Sequence, residues 1–205
     1  DAVYLAGKEF SLRSFADNFS CEELVQAIPL AHKNGVKVYL ACNIFSRNFE
    51  QESISEYLRQ IAALSPDAII ISDPGIFLET RSIIPEIPVH LSTQANTTNY
   101  RAVRFWQNLG VKRINLAREL SLQEIAGIAE KTDVELEAFV HGAMCISYSG
   151  RCLLSNIMTD RDSNRGLCTQ PCRWKYAVVE ETRPGQYFPL DEDDELFDDD
   201  DDTYN

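Results

Sequence analysis

What this chain of 205 residues lacks narrows it first. No apolar run approaches the roughly 20 residues that a membrane-spanning helix needs. The opening DAVYLAGKEF has neither the basic start nor the long apolar stretch of a secretory signal. The expectation is a cytoplasmic protein with no membrane partner, in a reducing compartment where clustered cysteines serve metals or redox chemistry more often than disulfides. No G-x-G-x-x-G follows the first β-rich run, so a dinucleotide-binding Rossmann sheet is unsupported. There is no G-x-S-x-G and no H-E-x-x-H, and none of the three histidines stands at metal-ligand spacing from another. Motifs therefore give peptidase chemistry no positive support, although a Cys–His pair that meets only in space leaves no mark in spacing. Basic residues are absent from residues 191–202, DEDDELFDDDDD, which hold ten acidic ones. Setting these ten aside moves the net charge from −13 to −3. The rest of the chain is near neutral, and the run reads as a solvated, mobile acidic loop. It would repel nucleic acid, so any RNA contact must use local arginines.

What is present is an alternation of short β-rich runs and helical runs. Strands are expected at residues 2–5, 36–43, 67–72, 89–93, 113–117 and 134–140. Helices are expected at 21–34, 50–64, 78–84, 99–109 and 122–131, with Asp73-Pro74-Gly75 read as a break. Apolar strands alternating with helices imply a parallel sheet covered by helices. Polar residues recur just after strand ends: Asn43, Asp73, Gln94, Asn96, Arg118, Glu119 and His141. In a (β/α)₈ TIM-type barrel these ends converge on the functional face, which favours the barrel over an open doubly wound sheet. About six βα units are visible where a closed barrel has eight. The expectation is an incomplete barrel in a fragment, with two unpaired strand edges that a protein partner would complete or cover. The organisation expected is a partial barrel over 1–144, a cysteine-rich segment over 145–176 and an extension with the acidic run over 177–205.

Four of the six cysteines, Cys145, Cys152, Cys168 and Cys172, lie within one polar stretch with Arg151, Arg161, Arg165 and Arg173. Gathered thiolates beside cations suit a soft metal or an iron–sulfur cluster. Rival readings are structural zinc, since Cys168 and Cys172 have zinc-pair spacing, and buried apolar cysteines. Cys21 and Cys42 stand alone. His141, after a strand end, is a candidate to orient substrate or tune the cluster, or a structural histidine. His90 lies inside a strand, which suggests the barrel interior, and His32 lies on a helix surface. Gln94, Asn96, Thr97 and Asn99 are candidates to read a nucleobase edge, or loop and helix caps. Arg118 is a candidate for a bidentate anion contact, or for pairing with Glu119. Trp174 and Tyr176 are candidates for stacking on a base or for core packing.

The run EAFVHGAMC ending at Cys145, then SGRCLLS around Cys152, resembles the signature of the collagenase-like peptidases, unassigned peptidase family 32. HLSTQANTTN from His90 to Asn99, RDSNRGLCTQPCRWKY from Arg161 to Tyr176 and the N-terminal DAVYLAGKEFSLR are similar to that family as well. CRWKY and the following YAVVEETRPGQYFPL look most like its tRNA 5-hydroxyuridine hydroxylase branch. The resemblance implies a (β/α)₈ barrel and an RNA-modifying hydroxylase that hydroxylates a tRNA wobble uridine, with prephenate as hydroxyl donor. It also implies a 4Fe–4S cluster on Cys145, Cys152, Cys168 and a fourth cysteine, either Cys172 or one beyond residue 205. Catalytic roles are then expected for His141, Arg118 and Glu119, and substrate contacts for Gln94, Asn96, Asn99 and Arg151. The alternatives are a collagenase-like peptidase and a non-catalytic fragment or binding subunit.

Overall fold

A computed structural model of the chain describes residues 1–12, 14, 16–142 and 144–189. The acidic run at 191–202 lies outside the described residues. Two compact units are present, Asp1–Cys172 and Arg173–Asn205.

The first unit alternates β1 (Ala2–Ala6), α1 (Cys21–Lys33), β2 (Lys37–Cys42), α2 (Gln51–Leu64), β3 (Ala68–Ile71), α3 (Pro74–Ile83), β4 (Val89–Leu91), α4 (Tyr100–Asn108), β5 (Arg113–Asn115), α5 (Leu122–Ala129), β6 (Glu135–Glu137) and α6 (Leu154–Thr159). The helix starts are written in the sequence. Ser20 and Ser121 each accept from the backbone three residues on, while Glu23 and Glu124 reach back to the cap, completing two capping boxes. Asp73 caps α3 through Ile76 N at 2.9 Å, with Pro74 in the first turn. The Asp-Pro-Gly sequence is thus the start of a helix and not the break expected of it. Pro fixes φ, and Asp supplies the acceptor, so α3 begins earlier than residue 78.

All six strands pair in parallel and in chain order, β1-β2-β3-β4-β5-β6. A doubly wound sheet reverses its order at a switch point. An unreversed order with right-handed crossovers puts every connecting helix on one face. That face buries Val38, Leu40, Ile69, Ile71, Val89, Leu91 and Ile114 against Leu24, Ile28, Ile54, Leu58, Ile61, Ile76 and Val103 in one core. The opposite face must then curl on itself. Flat, six strands at about 4.8 Å spacing would hold β1 and β6 about 24 Å apart. Instead, the Tyr4 hydroxyl of β1 donates to the Glu137 carboxylate of β6. The architecture is α/β, a curled six-strand parallel half-barrel.

The unit runs to Cys172, so residues 145–172 pack with the half-barrel. The second unit contains an antiparallel hairpin, β7 (Val179–Arg183) and β8 (Gln186–Pro189), turned at Gly185 with φ +77°. Among the described residues no helix is long and apolar enough to cross a membrane.

Candidate functional site

The mouth of the half-barrel is built from the loops that follow the strand ends. After β4, Ser92 caps a turn at Thr93–Ala95, and Asn96 leaves it with φ +53°. Thr93 Oγ1 donates to Leu116 O at 3.0 Å and so joins this loop to the end of β5. After β2, Asn43 accepts from Leu12 N at 3.1 Å, and its carbonyl accepts from Ser72 Oγ at 3.0 Å. Short polar side chains knit the loops where backbone groups have no strand partner.

The cysteine-rich segment is stapled across this mouth. On the β4–β5 side, fully buried Ser149 donates N–H to Glu119 Oε1 at 2.8 Å, and Arg118 Nη2 donates to Ser147 O at 2.9 Å. Gly150, at φ +71°, lies so close that a Cβ would stand 2.1 Å from Gln94 O. On the β1–β2 side, Phe45 N donates to Asn164 O at 3.2 Å and Ser14 Oγ to Gly166 O at 2.6 Å. Arg165 grips Glu50 with two bonds of 2.7 and 2.6 Å. Burial would raise the Glu50 carboxyl, but the Arg165 guanidinium holds it below the usual range.

Within the segment, Asn164 Nδ2 and Ser163 Oγ both donate to Cys152 O, at 2.8 and 3.0 Å. Burial would push the Cys152 thiol up, yet the Ser147 hydroxyl and the N–H groups of Leu154 and Ser155 hold it below its ordinary value. Ser155, fully buried, accepts from Thr169 N at 3.1 Å and shares a hydroxyl chain with Thr169 and Thr159. Gln170 N donates to Cys168 Sγ at 3.4 Å. Cys152 and Cys168 are half-buried on this scaffold, while Cys145 and Cys172 are exposed. Thiolate donors suit a soft metal by chemistry. Among the described residues no three His, Cys, Asp or Glu side chains stand together at single-ion ligating separation. Cys42 is a core residue whose thiol burial pushes up to about 12, and Cys21 donates to Gln60 Oε1 at 3.3 Å.

Several residues expected at the site have structural partners instead. Asn99 caps α4 through Arg101 N and Ala102 N at 3.1 and 3.0 Å, because an Asn ahead of a helix satisfies free N–H groups. Arg118 and Glu119 do not pair with each other; both hold the segment 147–149. Asn96 Nδ2 donates to Glu119 Oε2 at 3.4 Å. His141 is exposed, as is Arg151, whose N–H donates to Tyr148 O at 3.1 Å. Trp174 and Tyr176 belong to the second unit, where both are exposed. Among the described residues, polar atoms of the mouth loops buried without a partner include Gln94 Oε1, Thr97 Oγ1 and Arg118 Nε. Such atoms need a water or a ligand.

A second polar array lines the concave face deeper in the sheet, and its composition was not evident as a group. His90 packs edge-on to Tyr39 at 4.6 Å, the Arg113 guanidinium carbon lies 5.1 Å from the centre of that ring, and Arg113 bonds Glu135 at 2.7 and 2.9 Å. Strand register brings His90, Arg113 and Glu135 side by side. Burial, with Arg113 nearby, drives the His90 imidazole down to about 4. Burial raises the Glu137 carboxyl, which accepts from Arg113 Nη1 at 3.3 Å.

The sequence model of peptidase family U32 matches residues 1–204. The chain is 48% identical over 180 residues to tRNA hydroxylation protein P1 of Bacillus subtilis (strain 168), covering 88% of this chain and 43% of that protein. It is 37% identical over 181 residues to the 23S rRNA 5-hydroxycytidine synthase of Escherichia coli (strain K12), covering 88% of this chain and 27% of that protein. The matched part is thus less than half the length of these curated relatives. A solved U32 peptidase structure superposes with a TM-score of 0.57 at 19% identity, covering 67% of this chain and 60% of the other, and supports the fold.

Proposed function

This chain belongs to peptidase family U32, and on that premise we propose that it forms the barrel part of an RNA hydroxylase. The finer reading is prephenate-dependent 5-hydroxylation of a tRNA wobble uridine, in a complete (β/α)₈ barrel closed by βα units outside the described residues. One observation carries it. The cysteine-bearing segment is fixed over the strand C-terminal ends at both sides, by Ser149 on Glu119 and by Arg165 on Glu50. A cysteine-bearing segment at that end supports thiol chemistry at the face where barrels bind substrate. Relatives whose names specify tRNA hydroxylation and rRNA 5-hydroxycytidine synthesis agree in reaction class.

In this reading the chain's own residues bind and position. Gln94 Oε1 accepts from the base edge and the Thr97 hydroxyl accepts from or donates to it, as unpartnered polar atoms at the mouth. Arg151, which makes no side-chain ion pair among the described residues, takes a carboxylate of the hydroxyl donor or a phosphate. Arg118 and Glu119 act through the segment they hold. Cys145, Cys152, Cys168 and a fourth cysteine would hold an iron–sulfur cluster, which would supply one-electron chemistry.

The test is complementation of a strain lacking the full-length protein, with tRNA nucleosides read by mass spectrometry. Restored 5-hydroxyuridine that disappears in Cys152→Ser supports the reading. Normal hydroxylation by a Cys145→Ser, Cys152→Ser, Cys168→Ser triple variant overturns the cysteine role. Anaerobically purified protein should carry iron and sulfide; zinc alone overturns the cluster. Among the described residues neither His32, His90 nor His141 hydrogen-bonds a cysteine, so the peptidase reading gains no observation in its favour.

A further inference from the structure

The helical outside of the half-barrel carries a cation cluster that the mouth does not use. Tyr100 opens α4, and three cationic side chains surround its ring. Lys131 Nζ stands 4.7 Å from the ring centre, and the guanidinium carbons of Arg104 and Arg101 stand at 5.4 and 5.8 Å. Arg101 Nε donates to Tyr100 Oη at 3.3 Å, and Arg104 Nε donates to Lys131 O at 3.0 Å. An aromatic face and a carbonyl thus hold the cations in place. All three are exposed, and none forms an ion pair among the described residues. In a chain with 32 acidic and 19 basic residues, three gathered cations left without a carboxylate partner are a departure from the surrounding charge.

We propose that this α4–α5 face docks an RNA phosphate backbone, with Arg101, Arg104 and Lys131 contacting phosphates around Tyr100. The inference rests on the RNA reading above and deepens it. Guanidinium forks match phosphate oxygens bidentately, and the lysine adds a point charge. The mouth supplies few cations of its own, because Arg165 is committed to Glu50 and Arg118 to Ser147 O. Loop 93–99, which carries the unpartnered Gln94 and Thr97, leads directly into Tyr100. A strand whose base enters the mouth would therefore run onto this face. Phosphate contacts there set position, and the mouth reads the base.

The experiment uses the full-length protein and unmodified tRNA transcripts, with affinity measured across a salt series. Each phosphate contact contributes about 0.7 to 0.9 to the slope of log affinity against log salt. An R101Q/R104Q/K131Q variant should lose about 2 to 3 from that slope and roughly tenfold or more in affinity near physiological salt. Its hydroxylation defect should appear mainly as a raised KM for tRNA. R101K/R104K should recover most of the slope, which a purely structural role would not predict. A triple variant that binds tRNA with wild-type slope overturns the surface while leaving the RNA reading standing. So does one that loses only binding to anionic phospholipid vesicles. A wild-type protein that neither binds nor hydroxylates tRNA overturns the RNA reading itself.

Discussion

Gly150 and Glu119 decide whether the cysteine segment stays on the barrel. At φ +71° and with Gln94 O in the space of a side chain, Gly150 tolerates no Cβ. Gly150→Ala should destabilise by about 2 kcal/mol or more, through strain and displacement of the loop. Glu119→Ala leaves the N–H of fully buried Ser149 unpaired and should cost about 1 to 3 kcal/mol in urea denaturation. Hydrogen exchange should rise at 145–152 in both variants, and unchanged protection there would remove the stapling role. His90 carries a pH signature. Its folded value near 4 lies below the ordinary 6.5, so between them the unfolded chain binds the extra proton. Stability is therefore full above about 6.5 and declines as pH falls toward 4, by on the order of 3 kcal/mol. Glu137, raised by burial, slopes the other way, because the folded state holds its proton longer. His90→Phe should flatten the acid decline in chemical denaturation between pH 6.5 and 4. A variant as acid-sensitive as the wild type would place the loss elsewhere.

Between elements, the Arg165–Glu50 pair ties the turn at Ser163–Arg165 to the start of α2, and both side chains are mostly buried. Arg165→Ala should strand the Glu50 carboxylate and cost about 2 kcal/mol or more, with the Glu50 carboxyl returning toward its ordinary range. Carboxyl titration by NMR reads the second effect independently of unfolding. Elements such as α1 and α2 were legible in the sequence because a 3.6-residue apolar period acts locally. Asp73-Pro74-Gly75 was misread because the same residues end one element and start the next. The site was legible only in part. Cysteine spacing marks its segment, but the Glu119–Ser149 contact joins residues 30 apart, and no local pattern encodes it. Asn99 could be named as base reader or cap from sequence, and only the geometry of α4 decides for the cap.

At the scale of the molecule, the sheet holds two facts in tension. Tyr4 and Glu137 bind across the concave space, so curvature is already that of a closing structure. Yet β1 and β6 each lack a strand partner on one side among the described residues. Beyond β6, Phe139, Val140, Met144 and Ile146 are exposed in succession, Val140 by 90%. Unpaired strand edges beside exposed apolar side chains favour pairing with another chain. The U32 relatives are more than twice the length spanned here, which leaves room for the strands that would close the barrel. A polypeptide limited to residues 1–189 should therefore self-associate in sedimentation velocity as its concentration rises, while the full-length protein stays at one size. Lys substitutions at Val140 and Ile146 should reduce that association in the short chain, because a charge opposes edge pairing. The same two changes in the full-length protein should instead lower its melting temperature, since there the positions would lie against the completing strands. A short chain that remains monomeric, or a full-length protein indifferent to both lysines, would mean that these edges are native solvent-facing surfaces and that six strands are the whole of the sheet.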